Sequence, residues 1–328
     1  MRMVALCVAS MVLAVGALAD SKETSVAEVK TLRLQGQLAE AISLAEQRIR
    51  SHPDDRLVNI EYHLELARLY DRIGLHNNSR PVTGALENVD AAASLANPAD
   101  TAALAEIELA RAEFYYRAEM SEREFPKAFS YSRSANEQFQ KLDDKHGKAE
   151  ATHRLGLIHM QRNELEDAQI FFDRSLELDK AGGERVYFRG EYERHVGYVH
   201  YLRGDIETAI PYFQRSLAAR IEAGMTDASM FAAITLASAL VSTDRIEEAK
   251  PHALYAIKIA EQLNSPAGLA RATPTLGQIY EQEGDLDAAR KAYEAALGIA
   301  VNIGYDGTAD RMKTALQRVE TLATKNNH

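Results

Sequence analysis

Ten histidines and 48 acidic side chains are the groups in this 328-residue chain that could bind a metal or move a proton. Their spacing argues against both roles. His195 and His200 are five residues apart in a helical stretch, so they project about 140° apart around the axis and cannot meet at one ion. His153 and His159, six apart, fail in the same way. Glu191 and His195, four apart, share a face and read as a surface pair contributing about 0.3 kcal/mol. Neighbouring carboxylates such as Glu247-Glu248 and Glu281/Glu283 sit in glutamate-rich helical stretches and read as solvated faces rather than an acid–base pair. His52-Pro53-Asp54-Asp55 reads as a linker. No H-E-x-x-H, G-x-x-x-x-G-K, G-x-S-x-G or S-x-x-K string occurs. The sequence therefore predicts no enzyme, no metal and no cofactor.

The elements that would position these residues are helical. Hydrophobic residues make up 46% and charged residues 26% of the chain, while Gly and Pro together number only 26, and strand-like alternation is scarce. The N-terminus stands apart. Met1-Arg2 precedes an uncharged run, Met3 to Ala19, that ends in Ala17-Leu18-Ala19 before Asp20. This is a secretory signal-peptide pattern with a small-x-small cleavage site, and the run falls short of the ~20 residues that span a bilayer. Cleavage would leave residues 20–328 with no cysteine, since Cys7 is the only one. An exported chain without disulfides fits a bacterial periplasm. Removal of Arg2 takes the net charge from -10 to -11, which disfavours nucleic acid and anionic membrane surfaces as partners. Asn77-Asn78-Ser79 is a formal glycosylation site, read as coincidence in a bacterial export.

The stretch from Gly268 to Leu297 reads as two amphipathic helices joined at Glu283-Gly284-Asp285. The alanine that opens its second helix, Ala289, recurs at Ala249, Ala209, Ala168 and Ala128, at intervals of 40 or 41 residues. Twelve positions earlier stand Gly277, Ala237, Gly197 and Gly156. Three beyond those come Tyr280, Leu240, His200 and His159, and four after the key alanine come Tyr293, Ala253, Phe213 and Phe172. By this equivalence His159 and His200 are buried packing residues. The turns repeat too, as Gly284-Asp285, Asp244-Arg245, Gly204-Asp205 and Asn163-Glu164. Leu276-Gly277-x-x-Tyr280 followed by Ala289-x-x-x-Tyr293 resembles the tetratricopeptide-repeat family in a longer, roughly 40-residue form. The pattern extends upstream through Leu104–Phe139, Ala67–Ala92 and Gly36–Pro53, giving about seven hairpins over residues 20–323. Residues 308–323 are predicted to be a capping helix, and residues 324–328 a frayed tail.

The resemblance implies an all-α, right-handed superhelical solenoid whose first helices line a concave groove. Carried over by position, the groove takes His153 and Met160 in the fourth hairpin and Arg194, Tyr198 and Tyr201 in the fifth. The sixth contributes Phe231 and Ile234, and the seventh Arg271 and Gln278. Aromatics beside arginine suit a protein or peptide partner. The family's carboxylate-clamp set of Lys, Asn and Arg is not matched residue by residue. Two functions follow from the resemblance: an exported scaffold holding a protein or peptide in the groove, or a periplasmic sensor that relays ligand binding as a change in superhelix shape. The sequence assigns neither a partner nor an oligomeric state.

Overall fold

The structure, a computed structural model, describes residues 22–77, 82–121 and 123–326. The leader, Cys7, most of the Asn77-Asn78-Ser79 site and the last two residues lie outside the described residues. Fifteen helices and no strands occur among the described residues. They are α1 (Lys22–Leu34), α2 (Leu38–Ser51), α3 (Arg56–Asn77), α4 (Val82–Leu95), α5 (Thr101–Ala118), α6 (Pro126–Lys141), α7 (Lys145–Gln161) and α8 (Leu165–Gly182). The series continues with α9 (Val186–Leu202), α10 (Ile206–Glu222), α11 (Thr226–Ser242), α12 (Ile246–Gln262), α13 (Pro266–Gln282), α14 (Leu286–Asn302) and α15 (Asp306–Asn326). Each odd-numbered helix up to α13 packs on the even-numbered one that follows it, and successive hairpins stack. The fold is an all-helical solenoid.

Local chemistry builds each hairpin. Gly197 on α9 faces the Phe213 ring of α10 so closely that a Cβ there would lie 2.7 Å from it. Gly156 meets Phe172 and Gly277 meets Tyr293 in the same way. A small residue on the first helix thus seats an aromatic from the second, and packing at this density leaves no room for a larger side chain. The turns of hairpins four to seven hold one left-handed residue each, for example Gly284 at φ 82° and Asn163 at φ 62°, which ends the first helix. In the fifth and seventh hairpins an acidic side chain then caps the second helix: Asp285 accepts from the Ala288 amide at 2.9 Å and Asp205 from that of Thr208 at 3.3 Å. At the C-terminal end Met312, Ala315 and Val319 of α15 cover Tyr293 and Ala296 of the last hairpin.

The solenoid also closes on itself. Helix α3 packs against α13, ten elements later. Arg72 donates to Asp227 of α11 at 2.7 Å, and His76 lies 2.7 Å from the Ser265 hydroxyl at the start of α13. The His76 and Phe231 rings sit 6.3 Å apart. Helix α3 buries residues around its whole circumference, Asn59, Glu65, Asp71 and His76 included, because it touches its own hairpin on one side and the far hairpins on the other.

Candidate functional site

The first helices of hairpins two to six turn charged side chains toward a common interior. Arg68 of α3 pairs with Glu65 and Glu106, Arg117 of α5 with Asp71 and Glu113, and Arg154 of α7 with Glu113. Arg220 of α10 reaches Glu191 of α9 at 2.8 Å. Arg72 is raised above the usual arginine range by Asp227 first, against the cost of burial, and also by Asp71, Glu191 and Glu113, which belong to helices α11, α3, α9 and α5. Burial alone would raise the Glu113 carboxyl, yet the guanidiniums of Arg154, Arg117, Arg68 and Arg72 outweigh it and hold it down to about 2. Glu191 is likewise lowered against burial, by Arg220 first. Buried ions of this kind are tolerable only when paired. Water still reaches them: the side chains of Arg117 and Glu191 are 28% and 32% exposed.

Beside this network lies a buried histidine pair. His153 Nε2 and His195 Nδ1 are 2.8 Å apart. Arginine can only donate, so the contact of Arg194 Nη1 with His195 Nε2 at 3.1 Å fixes the tautomers. His195 Nδ1–H then donates to His153, and His153 Nδ1–H faces the Ser175 hydroxyl at 3.3 Å, which donates to the Phe172 carbonyl. Burial pushes His153 down to about 3, against the opposing pull of Glu191. Burial, His153 and Arg194 together hold His195 well below the usual histidine range. Both rings are neutral at pH 7.

This arrangement corrects several expectations. His153 and Met160 are buried, 6% and 8% exposed, because α7 packs on neighbours around its circumference, so neither lines an open wall. Glu191 and His195 do not form a surface pair; one salt-bridges Arg220 and the other joins the relay. His159 and His200 are only partly buried: they stack on Phe171 and Tyr212 and meet Glu164 and Asp205 at the turn. Tyr198, Phe231 and Ile234 are half-buried against one apolar cluster. Arg194 lies 4.9 Å from the Tyr198 ring and Arg271 5.4 Å from that of Phe231. The Tyr198 hydroxyl meets Thr235 at 3.0 Å, and Ser238 meets Thr275 at 3.2 Å, linking three successive hairpins. Tyr201 and Gln278 are exposed. The residues that sequence reasoning missed are Arg68, Arg72, Glu113, Arg154 and Asp227. Their signal was a run of arginines and carboxylates on first helices whose other residues are apolar.

Outside the interior, His159, Glu164 and Asp167 bring ligand-type atoms within 4.8 Å of one another. Glu164 and Asp167 are exposed at the start of α8, where negative charge complements the helix N-terminus. Among the described residues, no helix is long and apolar enough to cross a membrane.

Fold and site together define a helical-repeat scaffold with a charged interior. A tetratricopeptide-repeat family model matches residues 149–181 and 275–300, which fall in the fourth and seventh hairpins. Among curated proteins it is 22% identical over 262 residues to tetratricopeptide repeat protein 29 of Trypanosoma brucei brucei (strain 927/4 GUTat10.1). That match takes in 80% of this chain but 45% of the relative, so the chain spans under half of that protein's length. Among solved structures it is similar to a Rap protein complexed with competence and sporulation factor, with a TM-score of 0.55 and 14% identity over 93% of this chain and 99% of the other. It is also similar to the Rap conjugation gene regulator of plasmid pLS20 in complex with the Phr* peptide, with a TM-score of 0.55 and 17% identity over 84% and 78%. At these identities the likeness to both structures is one of fold.

Proposed function

We propose that this chain is a non-enzymatic scaffold that takes an extended peptide or protein segment against the inner wall of hairpins five to seven. The observation that carries this reading is the layer Arg194–Tyr198, Phe231–Arg271. It runs across three successive first helices and is held by the Tyr198–Thr235 and Ser238–Thr275 contacts. Aromatic and arginine side chains already fixed by packing lose little entropy on binding. A solved structure of the same fold holds a peptide, which supports a peptide as the ligand here. The test is retention of a random hexapeptide library by the immobilised chain and by its Phe231→Ala variant. Equal retention by both would reject this wall as the site.

A second reading, a sensor whose superhelix changes shape on binding, is favoured by the closure of α3 on α11 and α13 through Arg72–Asp227 and His76–Ser265. Ligand-dependent change in solution scattering would support it, and an unchanged curve at saturation would reject it. We further propose that residues 1–19 export the chain to a bacterial envelope, on the strength of the uncharged run before Ala17-Leu18-Ala19.

A further inference from the structure

The inner wall separates its arginines into two kinds. Arg68, Arg72, Arg117, Arg154 and Arg220 each face a carboxylate from the chain itself. Among the described residues, Arg194 and Arg271 have no ion-pair partner. Arg194 spends one nitrogen on neutral His195, and Glu191, which feels its charge, is taken by Arg220. Arg271 lies between the rings of Phe231 and Tyr305, at 5.4 and 5.6 Å. Both have an Nε–H shut off from water and without an acceptor; Arg154 and Arg220 share that feature but are neutralised by Glu113 and Glu191. A half-buried guanidinium with donors to spare is the group that binds a carboxylate most strongly, in one or two parallel bonds. The two unmatched cations flank Tyr198, Thr235 and Phe231, in a chain whose net charge is -10. The local excess of positive charge thus runs against the charge of the whole.

We propose that this wall selects acidic peptides, with Arg194 and Arg271 supplying the countercharge to a ligand carboxylate. The neutral histidine relay supports that role. By accepting from Arg194 without carrying charge, His195 orients the guanidinium and leaves its charge unspent. The proposal rests on the peptide-binding reading above and names the chemistry that the wall prefers. The carboxylate can come from Asp or Glu side chains or from the peptide's C-terminus, and the experiment separates these sources.

The full chain is panned against random hexapeptides in two forms, with free and with amidated C-termini. Retained sequences are then resynthesised as Asp/Asn or Glu/Gln pairs and titrated. We expect acidic residues to be enriched, and each acidic peptide to bind about tenfold more tightly than its amide counterpart, the equivalent of one charge-assisted contact. Raised salt should shrink that ratio. In Arg194→Gln/Arg271→Gln the ratio should fall to about one, while Arg203→Gln, whose partner Glu166 lies at the outer turn, should leave it intact. Enrichment in the amidated library assigns the charge to side chains; enrichment with free termini alone assigns it to the C-terminus. Peptides retained with no preference for acidic side chains and none for a free over an amidated C-terminus, or a preference that survives in the folded double variant, would overturn the inference and leave the peptide-binding reading standing. Failure to retain any peptide would overturn both. The wild-type acid/amide ratio and its salt dependence decide the matter even if the double variant does not fold.

Discussion

Lowering the pH from 7 to 5 should destabilise the fourth and fifth hairpins through His153 and His195. In the unfolded chain a histidine titrates near 6.5, so at pH 5 both would be protonated. In the native chain His153 stays neutral down to about 3, and His195 is also held well below its usual range. The unfolded state therefore binds protons that the native state refuses, and stability is lost as the pH falls below about 6.5 toward 3. Each such proton contributes a slope of about 1.4 kcal/mol per pH unit. From pH 7 to 5 this comes to about 2 kcal/mol for His153, and His195 adds a loss of the same sign. The carboxylates of Glu113 and Glu191, held low by arginines, add their loss mainly at lower pH. Burial lowers His76 and His252 as well, so the comparison must be with a variant. His153→Gln/His195→Gln should cost some stability at pH 7 but lose at least about 2 kcal/mol less than wild type between pH 7 and 5. Urea unfolding at the two pH values, with hydrogen exchange read on α7 and α9, is the assay. If wild type and variant lose the same stability, the two rings are not buried neutral partners and the relay is wrong.

Three other outcomes follow from the same geometry. Gly197→Leu should wedge α9 from α10, because even a Cβ would lie 2.7 Å from Phe213; a loss of about 3 kcal/mol should lower the melting temperature far more than Tyr201→Ala, whose ring is exposed, with Tyr198→Ala falling between them. Asp227→Asn should leave the partly buried Arg72 without its nearest counterion and cost about 2–3 kcal/mol. Hydrogen exchange should then rise in α3 and α11 before α14 and α15, and a uniform rise would contradict local closure. N-terminal sequencing of the chain recovered from the envelope should return Asp20, and recovery of Met1 would refute cleavage of the leader.

The hairpins were legible in the sequence because their determinants are local. Gly197 and Phe213, Gly156 and Phe172, and Gly277 and Tyr293 lie sixteen residues apart in each pair, and their types reveal the contact directly. The interior was less legible. Arg72 and Asp227 meet across 155 residues, and their meeting depends on small rotations accumulated over four hairpins, which no local spacing records. Face assignment also failed on helices buried all round. The repeat register places His153 on the groove wall, although α7 buries His153 as well as Leu155, Gly156 and Leu157. The His153–His195 contact joins positions three and two residues before the key glycines Gly156 and Gly197, so strict repeat equivalence separates them. The family resemblance places Arg194, Tyr198, Phe231 and Arg271 along one groove without pairing them; in the structure Arg194 lies over the Tyr198 ring and Arg271 over that of Phe231. Of the carboxylates that pair with the neighbouring arginines, Glu65, Asp71, Glu106 and Glu113 come from hairpins two and three, upstream of the clearest repeats.

The central claim is that ligand lies on the inner wall of hairpins five to seven. A photo-crosslinking side chain placed at Gln278, exposed on α13, or at Ile170, 64% exposed on α8, tests it most directly. With peptides retained from the hexapeptide library, Gln278 should yield adducts that unlabelled peptide competes away, and Ile170 should yield none. Adducts at Ile170 alone, or equal adducts at both positions, would contradict the account.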